Sequence, residues 1–242
     1  MNDTPQLILF DIDATLLKTN ALGIRAMEHA GLELHGKDMN AGGINYAGRL
    51  DPLILRDILT ENDIEPTREA LDAFRDGYRR HLTRLFEEFP DSAYPLPGVL
   101  DLLDALRAHA SITLGVLTGN FAETGTMKIT RAGIDMNRFE ILVWGDDSPH
   151  EEPAREHLPG VGIDKHEAHT GERTDPSRVL IIGDTVHDVS CAHAHGCICL
   201  GVATGIYNED DLRDAGAPHV VPDLSDTEAI LSWMGLSAIG SR

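Results

Sequence analysis

The sequence predicts an α/β fold, a doubly wound parallel sheet carrying an all-helical insertion, and two observations predict it. From residue 95 onward, short apolar runs ending in turn formers alternate with helical stretches, and one more such run, "LILF", stands near the start, ahead of a block without strands. Alternation of this kind implies right-handed crossovers and therefore a parallel sheet. Since the first strand belongs to that sheet, residues 1–17 and 95–242 are expected to form the core and residues 18–94 the inserted helical unit.

The first element is "LILFDIDATLLKTN", residues 7 to 20. Leu7 to Phe10 read as a strand buried on both faces, which delivers the chain into Asp11 and Asp13. Strand side chains alternate, so residues two apart project into the same small volume. Two carboxylates that close repel each other, and a divalent cation is the expected neutraliser.

The insertion follows. "DPLILRDILTEN" starts with Asp51 as an expected cap and Pro52 at the first helical position, and sets Leu55, Ile58 and Leu59 on one face. "TREALDAFRDGYRRHLTRLFEEF" places Leu71, Phe74, Tyr78, Leu82, Leu85 and Phe89 at helical spacing. After "PLPGV" the expected strands are "ITLGVL", "ILVW", "VLII" and "ICLGVA", each running into a glycine-containing turn. Ser225 and Glu228 form a capping-box pattern that opens a final helix. Residues 146–176 are polar, broken by "PGVG", and receive no element.

Composition narrows the function. The 242 residues are 42% hydrophobic, and 20 Lys+Arg against 40 Asp+Glu leave a formal charge of -20. That charge repels nucleic acid and anionic membrane, which excludes both as electrostatic partners. "MNDTPQ" has no basic region, and the apolar run after it is too short for a signal peptide or a membrane span, so a cytoplasmic protein is expected. Cys191, Cys197 and Cys199 are odd in number, which argues against a disulfide framework. In "HDVSCAHAHGCIC" they neighbour His187, His193 and His195, but the spacing fits no closed zinc pattern and a structural role is expected.

Ligands of doubly wound sheets bind beyond the carboxyl ends of the strands. Asp11 and Asp13, Thr118, Gly119 and Asn120, and Asp184 and Asp188 all follow predicted strands, and Lys128 lies on the helix after Asn120. Carboxylates beside a hydroxyl, backbone amides and one lysine suit Mg2+ and a phosphoryl group, because hard oxygen ligands hold that ion and the donors hold phosphate oxygens.

"DIDAT", "LTGN", Lys128 and "IGDTVHD" resemble, in order, the signature motifs of the haloacid dehalogenase-like hydrolase superfamily. The helical insertion resembles its cap, while "AGRLDPLI" and "PLPGV" are similar to stretches of phosphoglycolate-phosphatase-like members. The resemblance implies a Rossmann-like core, Asp11 as nucleophile, Asp13 as acid/base, Thr118 and Lys128 as phosphate anchors, and Asp184 as a Mg2+ ligand. It also puts Arg49 and Asp51 where the cap closes over substrate. Two departures stand out: Ala14 replaces the usual glycine after the second aspartate, and "GDDSPHEEPAREH" lacks the lysine-proline pair that many relatives carry.

The expected chemistry is a Mg2+-dependent phosphatase acting on a small phosphorylated metabolite, phosphoglycolate being the example that the resemblance offers. Asp11 would form an aspartyl phosphate, and Asp13 would face the metal with its backbone carbonyl while its carboxyl group moves protons. Asp188 would either ligate the metal or brace a ligand. The alternatives are a phosphomutase, a haloacid dehalogenase, against which Asp13 argues, and a relative that binds phosphate without turnover.

Overall fold

The structure is a computed structural model and describes residues 4–39 and 43–237. Strand β1 (Leu7–Phe10) is followed by a two-residue strand, β2 (Leu17–Lys18), and by helices α1 (Leu22–His35), α2 (Asp51–Glu61) and α3 (Arg68–Glu88). Another short strand, β3 (Tyr94–Pro95), precedes α4 (Val99–Arg107), β4 (Thr113–Leu117), α5 (Ala122–Arg131) and β5 (Ile141–Val143). The chain continues through α6 (Leu158–Thr170), β6 (Val179–Gly183), α7 (Val186–Ala194), β7 (Ile198–Val202), α8 (Glu209–Asp214), β8 (His219–Val221) and α9 (Thr227–Trp233).

Six strands form one sheet in the order β5-β4-β1-β6-β7-β8, and every pairing in it is parallel. This is the doubly wound α/β sheet that the alternating pattern predicts. β1 lies in its interior, and its side chains divide by parity. Ile8 and Phe10 join the apolar cluster on one face, Leu7 and Leu9 that on the other, all fully buried. Each such side chain contributes about 2 kcal/mol by leaving water, so the strand is anchored from both sides and its carboxyl end is a rigid platform.

Between β2 and β3 the described residues contain only helices as regular structure. β2 and β3 pair antiparallel, Leu17 opposite Pro95 and Lys18 opposite Tyr94, and form a narrow ribbon at both ends of the helical segment that the sequence reading lacks. α1 packs along α3, which buries Phe74, Tyr78, Leu82, Leu85 and Phe86. Phe86 takes the place expected for Phe89, which lies at the helix end and is exposed.

Three local expectations change. Asp51 does not cap its own helix: Leu50 is the cap residue, and the Asp51 carboxylate reaches across to α5. The final helix forms, but Asp226 caps it by accepting from the amide of Ala229, one residue later than the Ser225 pattern. The stretch left without an element contains α6, although Pro159, Gly160 and Gly162 fall in its first turns. A side chain at Gly162 would press into Leu9 and Val143, so the glycines let this helix lie close against the sheet.

The three cysteines are buried and unbridged. Among the described residues, no helix is long and apolar enough to cross a membrane.

Candidate active site

Asp11 is the first residue past β1, and its amide donates to the Ile182 carbonyl at 2.9 Å, which continues the ladder and fixes its direction. The chain then turns back sharply: the amides of Leu16 and Leu17 donate to the Ile12 carbonyl, and Ala14 adopts φ +59°. Ile12 is buried in the core, while Asp11 and Asp13 both line the cavity above the sheet. Ala14 thus takes a left-handed conformation for which glycine is the unstrained residue. The Thr204 hydroxyl donates to its carbonyl.

Two polar constellations meet there. In the first, oxygens of Asp11, Asp184 and Asp188 all lie within 4.8 Å of one another, and all three residues are buried. Arg155 Nη2 lies 3.1 Å from Asp11 Oδ1 and 2.5 Å from Asp188 Oδ1. Asp188 also accepts through Oδ2 from the amide and hydroxyl of Thr185, in a capping box that starts α7. Both of its oxygens are therefore engaged. Asp184 follows β6 and accepts from the Thr15 hydroxyl at 3.2 Å.

Burial pushes Asp11 up to about 6, with Asp188 and Asp13 adding to the rise and Arg155 opposing it. Burial pushes Asp184 up to about 8, reinforced by Asp11 and Asp188 and opposed by Arg155 and Thr15. Burial also works against the Arg155 charge, but Asp188 and Asp11 outweigh it and hold the guanidinium well above its ordinary range. One guanidinium does not neutralise three buried carboxylates. Their hard oxygen donors suit a divalent cation such as Mg2+, which Asp11 and Asp184 could hold through side-chain oxygens.

The second constellation joins Asp13, Thr118, Asn120 and Lys128. Lys128 Nζ donates to Asp13 Oδ2 and to Asn120 Oδ1, each at 2.6 Å, and Asn120 Nδ2 donates to Asp13 Oδ2 at 2.8 Å and to Thr118 Oγ1 at 2.9 Å. Lys128 is buried on α5; burial opposes its charge, yet Asp13, Tyr78 and Asp51 more than compensate and raise it above the usual lysine range.

Residues 48–51, which lead into α2, press on this loop. The Asp51 amide donates to the Gly119 carbonyl at 2.7 Å, and Asp51 Oδ2 accepts from the Phe121 amide at 3.1 Å. A side chain at Gly119 would overlap the Arg49 carbonyl, which explains why glycine stands between Thr118 and Asn120. Arg155 Nη1 donates to the Gly48 carbonyl at 3.3 Å. Arg49 itself pairs with Asp57 on α2 at 2.6 Å. Together these elements enclose a cavity of about 650 Å3.

The structure thus brings Asp11, Asp13, Thr118, Gly119, Asn120, Lys128, Asp184 and Arg49 to the lining of one cavity, with Asp188 behind Asp11. Sequence reasoning missed Arg155. The signal available for it was the missing lysine-proline pair, which left the stretch after "ILVW" without the cation that the resemblance leads one to look for. Among the described residues, the histidines and cysteines of "HDVSCAHAHGCIC" form no cluster able to hold a metal.

The chain resembles known proteins over nearly its whole length. Residues 8–202 match the model of the haloacid dehalogenase-like hydrolases. The chain is 27% identical over 237 residues to the pyrophosphatase PpaX of Bacillus pumilus, covering 96% of this chain and 99% of that protein. It is 29% identical over 230 residues to a phosphoglycolate phosphatase of Nitrosospira multiformis, covering 93% and 94%. Among solved structures, a hydrolase from Pseudomonas syringae superposes with a TM-score of 0.71 at 22% identity, over 98% of this chain and 100% of that one. CbbY from Rhodobacter sphaeroides, in complex with xylulose-(1,5)bisphosphate, gives 0.73 at 20% identity, over 92% and 96%.

Proposed function

Because the chain belongs to the haloacid dehalogenase-like hydrolase family, we propose that it is a Mg2+-dependent phosphatase that hydrolyses a small phosphorylated metabolite through an aspartyl phosphate on Asp11. One observation carries the reading: Asp11 shares a buried acidic cluster with Asp184 while the paired Asp13 and Lys128 line the same cavity. The names of the curated relatives, pyrophosphatase and phosphoglycolate phosphatase, support the same class. In this reading residues 18–94 are the cap, and the protein works in the cytoplasm.

Mg2+, held by carboxylate oxygens of Asp11 and Asp184 and by the Asp13 carbonyl, would offset charge on the phosphoryl oxygens. Arg155 holds Asp11 Oδ1, which leaves the other oxygen to attack phosphorus. The phosphorus–oxygen bond to the alcohol breaks, and the departing alkoxide takes a proton from the Asp13 carboxyl group. Asp13, now a carboxylate, accepts a proton from water as that water attacks the phosphorus of the aspartyl phosphate. The bond to Asp11 breaks, releasing inorganic phosphate and restoring both aspartates. Lys128, Thr118 and the amides of Gly119 and Asn120 hold the phosphoryl oxygens through both steps. Asp188 acts through Arg155 and the start of α7.

A phosphomutase would use the same groups and pass the phosphoryl group to a second substrate hydroxyl. Incubation of the protein and of Asp11→Asn with Mg2+ and a panel of phosphomonoesters, scoring free phosphate against isomerised product, tests the reading. Phosphate release that disappears in Asp11→Asn is the expected result. Release unchanged in Asp11→Asn overturns it.

A further inference from the structure

The cavity extends well beyond the aspartates. At about 650 Å3 it falls in the range of pockets that enclose whole drug-sized ligands, far more than a phosphoryl group joined to two carbons fills. Ile24 and Met27 of α1, Ile44 and Tyr46 of the following segment, and Ile54 of α2 line its inserted side. Ile206 lines the opposite rim and is 73% exposed, an apolar side chain in water at the mouth of a site. These residues give the cavity an apolar stretch of lining apart from the aspartates.

The charges on the lining point the same way. Lys128 is paired with Asp13, Arg155 with Asp11 and Asp188, and Arg49 with Asp57. Asp51 adds a buried carboxyl group to the inserted side. Among the described residues Lys18 is the lining cation left without an acid, and it stands exposed at the edge. A second anionic group on the substrate would have to displace an existing pair or stay at the mouth, within a protein of formal charge -20.

Resting on the phosphatase reading above, we infer that the substrate is the phosphomonoester of an uncharged alcohol with an apolar body of several carbons. A phosphorylated acid of two carbons and inorganic pyrophosphate are then poor substrates: each brings a second anion to a lining with no free buried cation, and neither covers the isoleucines.

The test is kcat/KM of the full chain with Mg2+, measured as phosphate release from ethyl, butyl and hexyl phosphate, 2-phosphoglycolate and inorganic pyrophosphate. Burial of each added methylene is expected to raise kcat/KM about two- to fourfold, and hexyl phosphate should exceed 2-phosphoglycolate at least tenfold. In Ile206→Ser, a change at an exposed position, or in Ile44→Ser, the hexyl-to-ethyl ratio should fall about threefold. A flat alkyl series, faster turnover of 2-phosphoglycolate or pyrophosphate, or a ratio unchanged in both variants overturns this inference and leaves the phosphatase reading standing. No release from any compound overturns both.

Discussion

Arg155 Nη2 lies 3.1 Å from Asp11 Oδ1, so the proposed nucleophile is held by an arginine from the 3-10 turn that leads into α6 rather than by the lysine on α5. The same nitrogen is 2.5 Å from Asp188 Oδ1, and the two side chains are almost wholly buried. A buried ion pair stabilises little relative to a well-packed apolar pair, but losing one partner strands the other charge.

Arg155→Met is therefore expected to destabilise the protein by about 3–5 kcal/mol and to lower kcat/KM at least a hundredfold, since Asp11 and Asp188 then repel each other unscreened. Arg155→Lys should recover only part of both, because an ammonium lacks the planar fork that meets two carboxylates. Thermal unfolding with chelator and with Mg2+ checks it: Mg2+ should raise the Tm of Arg155→Met more than that of the wild type. Equal shifts in the two proteins would separate Arg155 from the acidic cluster.

Asp13 is given the proton-transfer role because it lines the cavity beside Lys128. If it protonates the leaving oxygen, the need for it depends on the leaving group. Asp13→Asn should cut kcat/KM for alkyl phosphates about 10²- to 10⁴-fold, with a clearly smaller loss for an aryl phosphate, whose phenolate departs without a proton. Equal losses for both esters would show that Asp13 only positions Lys128.

Ala14 sits at φ +59°, and its carbonyl accepts from Thr204. A left-handed alanine is strained by about 1 kcal/mol or more, of which the greater entropy of an unfolded glycine takes back a part. Ala14→Gly is expected to stabilise the protein by about 0.5 kcal/mol, raising Tm by about 1–2 °C. A lowered Tm in calorimetry would show that the methyl group contributes packing worth more than the strain.

The parallel sheet and the strand-end groups were legible because each rests on local pattern. "LILF" and "VLII" are short apolar runs bounded by turn formers, the pattern of a strand buried on both faces, and Asp11 follows the first directly and Asp184 the second after one glycine. The missing lysine-proline pair left the stretch after "ILVW" short of a cation, but it did not single out Arg155, because an arginine in a polar stretch looks solvated until the fold carries it to Asp11 and Asp188. α6 escaped for a related reason: Gly160 and Gly162 read as breakers, whereas their lack of side chains lets the helix approach His195, Leu9 and Val143. Asp51 reads as the cap of the helix it begins, and only the fold shows that its carboxylate serves α5.

Asp51 is buried between α2 and α5, and burial pushes it up to about 7, against the pull of Lys128 and of the Phe121 amide. The folded state therefore binds the Asp51 proton more tightly than the unfolded chain, in which an aspartate titrates near 3.9. The stability this contributes is fully present below about pH 4 and is lost as pH rises toward 7. Asp51→Asn keeps an oxygen to accept from Phe121 and mimics the protonated form at every pH. The stability of Asp51→Asn relative to the wild type should thus differ little at pH 4, grow to about pH 7 and level off by pH 8, where the gain is on the order of 4 kcal/mol. Saturating Mg2+ and subtraction of wild type from variant at each pH cancel the contributions of Asp11 and Asp184. A difference that stays constant across that range, or that grows toward acid, would mean that Asp51 is ionised in the folded protein and that Lys128 sets its charge.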